Sequence, residues 1–403
     1  MPNKLVTIIP ILYLQLDRFQ PFCLWTTFMT TPFDRKLARL SLEICRYTYA
    51  VGVGTAANMP DRDDALRYIN NYIAQLPEPQ KSFTTTPVHI HGSETSFACV
   101  VPFADRNVVS YMGTKTEFRA VKLSQFIDLL KNGSAFSIAT QAIGFVKEFS
   151  QSLHDWGRNG RAAPVDFTLS GEHIGKENGV TLEGKVHAGF LSELKDVQAQ
   201  IVSILDQDVN KNNGTRRKVL VTGHSQGGAE AALATRALAA AGFEVEATYT
   251  FAAPRTGTQA FVDSIKTPVY RFEFGDDIVP HLPPTLIRKM IERYVDEQRE
   301  LLTKLTLWDN VQNSLNNLKD FGYVGLGPLY YGAPLEKKLH IGLSAATEKA
   351  LEQQRLKQLE QNPKHWGDHH HLAGTTAEVT ADPAQRGNYT LLASPEPLGW
   401  PLA

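Results

Sequence analysis

Lys218-Val219-Leu220-Val221-Thr222-Gly223-His224-Ser225-Gln226-Gly227-Gly228 is an apolar run that breaks at a glycine-flanked serine and then continues as an alanine-rich stretch to Ala241. The run has strand composition and the stretch after it has helix composition, so the serine falls on the turn between them. A serine held there sits on strained backbone, where the residues two before and two after it must be small because the two elements crowd together; Gly223 and Gly227 meet that need. The pattern Gly-x-Ser-x-Gly in this context is a nucleophile elbow, and it predicts a serine whose hydroxyl is presented for chemistry.

Outward from this stretch, apolar or alternating runs at Ser96 to Val101, Asn107 to Tyr111, Ala247 to Ala252 and Val269 to Phe274 read as further strands, several of them separated by helical patterns. Such alternation predicts an α/β fold, a mostly parallel central sheet with helices on both faces. Asp34 is a helix N-cap candidate, with Leu37, Leu40, Ile44 and Tyr47 at helical spacing behind it and glycines 52 and 54 to end the helix. Residues 119–165 and 285–320 read as insertions rich in amphipathic helix. The charged stretch from Glu348 to Gln361 reads as a solvated helix, and the Pro- and Gly-rich final residues read as irregular coil. Residues 29–403 are thus expected to form a single domain, preceded by residues 1–28 as an N-terminal extension or a weakly signal-like segment.

A serine hydroxyl is a poor nucleophile until a base takes its proton, so the elbow calls for a histidine and an orienting carboxylate further along the chain. The strand Val269 to Phe274 runs into Gly275-Asp276-Asp277-Ile278-Val279-Pro280-His281, which puts two carboxylates at a strand exit, where α/β sites lie. Asp277 is the expected orienting acid and Asp276 the alternative, making a local turn bond.

Five ordered segments carry a resemblance to the class 3 lipases, the family that includes fungal triacylglycerol lipases and many bacterial relatives. Val186-His187-Ala188-Gly189-Phe190 resembles the family's His-x-Gly-Phe, Gly223-His224-Ser225-Gln226-Gly227-Gly228 its nucleophile signature, and Thr250-Phe251-Ala252-Ala253-Pro254-Arg255-Thr256-Gly257 its T-F-[GA]-x-P-R-x-G. Asp277-Ile278-Val279-Pro280-His281-Leu282-Pro283-Pro284 is similar to D-x-V-P-x-L-P-P, whose aspartate belongs to the triad, and Phe321-Gly322-Tyr323-Val324-Gly325 to a turn of bacterial members. The resemblance as a whole covers about residues 34 to 372. The resemblance implies the α/β-hydrolase fold, a Ser-Asp-His triad and a helical lid. It implies an oxyanion hole from the N–H of Gln226 and that of Thr114, at the end of Val108-Val109-Ser110-Tyr111-Met112-Gly113-Thr114, where Met112 replaces the family's usual arginine. In Trp366-Gly367-Asp368-His369-His370-His371-Leu372 the family's late Asp-His, followed three residues on by a bulky residue, selects His369 as base with Leu372 in the packing position. His370 and His371 remain open alternatives, His281 reads as structural, and His340 is a possible base with no motif around it. The competing reading of this histidine run is a metal site, for which His89 and His91 would be the only distant ligands.

Leu123, Phe126, Ile127 and Leu130 form an i, i+3, i+4, i+7 stripe, with a second stretch around Ile143, Val146 and Phe149. This is either a core-facing amphipathic helix or the family's lid, which would expose an apolar face to lipid. The expected activity is hydrolysis of carboxylic esters through an acyl-enzyme, triacylglycerols foremost. A phospholipase A1, a soluble-ester carboxylesterase and an idle lipid-binding protein are the alternatives. The chain needs no cofactor and no metal for this chemistry. A formal net charge of -1 without a long basic run gives nucleic acid no footing, and the three cysteines, Cys23, Cys45 and Cys99, do not make a disulfide framework. No transmembrane segment is expected, because the apolar run from Leu5 to Leu14 is short and broken by Pro10. That run favours a cytoplasmic chain slightly over an exported one, with secretion open if residues 1–28 are a signal peptide. Oligomeric state is not legible.

Overall fold

The computed structural model describes residues 33–52, 62–92, 96–113, 163–212, 214–282, 292, 296–297, 299–304, 306, 308–309, 312, 321–361, 368–370, 372, 389–394 and 399–403. In chain order its strands are β1 Val88–His91, β2 Phe97–Pro102, β3 Arg106–Tyr111, β4 Pro164–Leu169, β5 Val180–His187, β6 Lys218–His224, β7 Val245–Phe251, β8 Gly257–Thr258, β9 Val269–Phe274, β10 Tyr323–Val324, β11 Leu329–Ala333 and β12 Lys338–Ile341. The main helices are α1 Arg35–Gly52, α2 Arg62–Ala74, α3 Ala188–Lys211, α4 Gln226–Ala241, α5 Ala345–Gln361 and α6 Tyr389–Ala393.

Eight strands form one sheet in the order β1-β2-β3-β6-β7-β9-β11-β12. From β3 to β11 neighbours are parallel, and antiparallel pairs close both edges. Because β6 alternates, Leu220 joins the apolar cluster that contains α1 and α2, while Val219 and Val221 join the cluster that contains α3 and α4. Helices therefore cover both faces, as a sheet buried on both sides requires. This is the α/β-hydrolase fold.

Three features depart from the sequence reading. A second sheet, β10-β8-β5-β4, stands beside the first. The helix over residues 348–361 is present within α5, but it is not wholly solvated: Arg355 is only 2% exposed. The chain end is not simple coil either, since Tyr389 and Leu392 of α6 and Trp400 belong to the core and Leu402 bridges to Leu339 of β12. The lid stripe and most of both insertions lie outside the described residues.

Asp34 caps α1 by accepting the amide N–H groups of Lys36 (2.7 Å) and Leu37 (3.3 Å), as its sequence position predicts. His187 caps α3 by the same logic with a different side chain, its Nδ1 accepting from the N–H of Gly189 (3.1 Å) and Phe190 (3.4 Å). That acceptor role requires a neutral imidazole, and burial pushes the His187 pKa down to about 4.

Candidate active site

The elbow forms where β6 enters α4. Ser225 takes φ 56° and ψ -131°, outside the comfortable regions for an L-residue, and holds this geometry because its N–H is bonded to Phe251 O at 2.9 Å. The small residues are obligatory: a Cβ on Gly223 would lie 2.0 Å from Gly227 O, and one on Gly227 would lie 2.2 Å from Tyr111 O at the end of β3.

Ser225 Oγ lies 2.9 Å from His370 Nε2. On the other side of the ring, His370 Nδ1 lies 3.1 and 3.0 Å from Asp277 Oδ1 and Oδ2. With Nδ1–H donating to the Asp277 carboxylate, Nε2 keeps its lone pair toward the serine hydroxyl, which is the tautomer a general base needs. Asp277 is fully buried at the exit of β9. Burial disfavours its charge, yet His370, the Tyr389 hydroxyl (2.8 Å) and the Val279 N–H (3.0 Å) together hold its carboxyl below the usual range.

The expected base, His369, does not occupy this position. Its Nδ1 accepts the N–H of Asp276 at 2.8 Å and its ring packs against Phe274. Consecutive residues of the turn Asp368–His370 project in different directions, so a shift of one residue turns the imidazole from the serine to the acid loop. His370 is the histidine that the fold brings between Ser225 and Asp277. His371 lies outside the described residues, and Leu372 is buried in the core. Asp276 contributes its backbone N–H, and His281 is buried in an ion network on the far side of the acid loop. His340 faces Glu336 at 3.0 Å, and His89 bonds the Tyr47 hydroxyl at 2.8 Å. Among the described residues, no group of three or more His, Cys, Asp or Glu side chains is disposed to hold a metal ion.

Of the expected oxyanion donors, Gln226 is the first residue of α4 and its side chain is anchored on Glu230 at 3.0 Å. Thr114 lies outside the described residues. The chain leading to it is nevertheless at the elbow, since a Cβ on Gly113 would come 2.8 Å from His224 O. Met112 is buried in the core, an apolar position in place of the family's cation.

Two supports were not legible in the sequence. Tyr389 reaches Asp277 from α6, and no local motif marks it. His224 stands directly before the serine; its Nε2 bonds His370 O at 2.9 Å while its Nδ1 faces the Tyr49 hydroxyl at 3.0 Å. His224 thus ties the histidine turn to the elbow and to α1.

A Ser–His–Asp relay at the carboxyl edge of a parallel sheet, on a strand–elbow–helix unit, defines this protein's class as an α/β-hydrolase. Residues 148–287 match the family model of the class 3 lipases. It is similar to the secreted mono- and diacylglycerol lipase 1 of Fusarium solani, 38% identical over 102 residues that make up 25% of this chain and 30% of that protein. A lipase of Rhizomucor miehei is 39% identical over 144 residues, 34% of this chain and 36% of that protein. The chain thus spans about a third of the length of these relatives. Among solved structures, a mono- and diacylglycerol lipase from Aspergillus oryzae covers 75% of this chain and 81% of its own at 16% identity, with a TM-score of 0.43, a likeness too low to bear on function.

Proposed function

We propose that this protein is a carboxylic-ester hydrolase of the triacylglycerol-lipase type. Ser225 attacks the ester carbonyl, His370 takes its proton and later delivers it to the leaving alcohol, and Asp277 fixes the imidazole tautomer and balances the imidazolium. The Gln226 N–H at the start of α4, and by resemblance Thr114, stabilise the oxyanion; losing one such donor typically costs about 3 kcal/mol of transition-state stabilisation. The observation that carries this reading is the continuous relay from Ser225 Oγ through His370 to Asp277, with contacts of 2.9 to 3.1 Å. The family segment and the names of its relatives support an acylglycerol substrate, partial glycerides included, met at a lipid–water interface. Residues 29–403 act as one domain on this reading. The Fusarium relative's name favours secretion, which N-terminal sequencing of the mature protein tests. Among the described residues no helix is long and apolar enough to cross a membrane.

Hydrolysis of p-nitrophenyl esters and of tri-, di- and monoacylglycerol emulsions by the wild type and Ser225→Ala tests the assignment. Turnover that vanishes in the variant and rises when substrate forms droplets supports a lipase. Turnover without that rise favours a soluble-ester esterase, and turnover that survives the substitution rejects the mechanism.

A further inference from the structure

Helix α5 docks mainly by charge, beside one apolar contact in which Leu351 packs on Leu329, Tyr331 and Ala333. Glu348, Glu352 and Arg355 recur at i, i+4 and i+7 and so share one side of the helix. Glu348 bonds Arg271 of β9 at 2.8 Å, and Glu352 bonds Arg255 at 3.1 Å. Arg355, buried at 2% exposure, reaches deepest. Its Nε donates to Gly275 O at 2.9 Å, and its Nη1 contacts both Glu273 Oε2 (2.5 Å) and His281 Nε2. Its guanidinium also stands over the Tyr331 ring, 5.4 Å from the centroid.

These contacts bracket Asp277. Glu273 and Gly275 precede it at the end of β9, and His281 follows it in the short turn Val279–His281. One guanidinium therefore spans the loop that delivers the acid without touching the acid or any reacting atom. The same loop supports the histidine: the Asp276 N–H bonds His369, and His369 packs so closely on Gly275 that a Cβ there would meet its Nδ1 at 2.6 Å.

Resting on the reading of the Ser225–His370–Asp277 relay as catalytic, we propose that Arg355 is a positioning residue that fixes the acid loop, and through it the separation of Asp277 and His370. The surrounding charges balance: Arg271, Arg355 and Arg255 face Glu273, Glu348 and Glu352. His281 is driven to its neutral form by burial and by the neighbouring arginines, so its Nε2 accepts from Arg355 while Nδ1 faces Glu352 at 3.8 Å. A buried, balanced network of this kind contributes little stability over apolar packing, and registry is its best-attested use. The role depends on the fork. Guanidinium donates in fixed directions to a carbonyl and a carboxylate at once, whereas a lysine ammonium cannot reproduce both bonds.

The test compares full-length wild type, Arg355→Lys, Arg355→Met and Ser225→Ala on a water-soluble p-nitrophenyl ester, with thermal unfolding and the low-field proton resonance of the His370 Nδ1–H recorded for each. Arg355→Lys is expected to fold and to lose roughly ten- to a hundredfold in kcat, with KM unchanged within about twofold and the resonance weakened or shifted. Arg355→Met is expected to lose at least as much. If Arg355→Met does not fold, the lysine variant alone decides. Wild-type kcat and an unmoved resonance in a folded Arg355→Lys, beside an inactive Ser225→Ala, overturn the positioning role and leave the triad standing. Activity in Ser225→Ala removes the reading beneath both.

Discussion

Tyr389 donates its hydroxyl to Asp277 Oδ2 across 2.8 Å from a helix 112 residues further along the chain. Both groups are fully buried, so the bond cannot be replaced by water. It helps keep a carboxylate ionised where burial alone would protonate it. Tyr389→Phe keeps the ring and deletes only the donor. A hydrogen bond to a charged group is worth about 1.5 to 3 kcal/mol, so the variant should lose roughly ten- to a hundredfold in kcat/KM while remaining folded, as steady-state kinetics and circular dichroism will show.

The two neighbouring histidines should separate cleanly. His370→Ala removes the proposed base and is expected to lower kcat by about a thousandfold or more. His369→Ala removes an acceptor for the Asp276 N–H and should cost within about tenfold, through loop positioning alone. Equal losses in both variants would argue that the turn, and not one imidazole, is what matters.

His187 predicts a pH-dependent stability that has nothing to do with catalysis. Its pKa of about 4 in the folded chain lies below the ordinary 6.5, so the unfolded chain binds the proton more readily in that interval. The contribution is complete above pH 6.5 and is lost as pH falls through that value toward 4, up to about 3 kcal/mol in all. His187→Ser keeps an N-cap acceptor that does not titrate. Denaturant midpoints measured from pH 7 to 4 should fall less steeply for the serine variant, even though losing the ring stacked on Phe190 lowers its stability at pH 7.

Gly223→Ala tests the elbow's steric demand. The added methyl would sit 2.0 Å from a backbone carbonyl oxygen, which no side-chain rotation relieves. Folding stability should drop by more than about 3 kcal/mol, seen as poor soluble yield and an early unfolding transition.

The contrast between what was legible in the sequence and what was not follows from range. The elbow states all of its requirements within eleven residues of β6 and α4, and Asp277 falls at a strand exit, so both Ser225 and Asp277 were singled out from sequence, and the fold sets them on either side of the His370 ring. The base could not be separated within a run of three histidines. Which imidazole faces the serine depends on how Asp276 and His224 grip the turn, and those contacts are tertiary. The strand expectations agree with β2, β3, β6, β7 and β9 to within two residues, whereas β5 alternates weakly between half-buried and exposed positions and escaped notice with the rest of its sheet. The charges of α5 suggested a solvated helix because composition cannot say whether its partners are water or Arg271, Arg255 and Glu273.

The most direct test of the central claim is titration with an aryl phosphonate, following p-nitrophenolate release and locating the adduct by mass spectrometry in the wild type, His370→Ala and His369→Ala. The predicted result is one equivalent released per chain with the adduct on Ser225, at a rate that collapses in His370→Ala and is largely kept in His369→Ala. An adduct on another residue, or rapid labelling of Ser225 without His370, would contradict the Ser225–His370–Asp277 assignment.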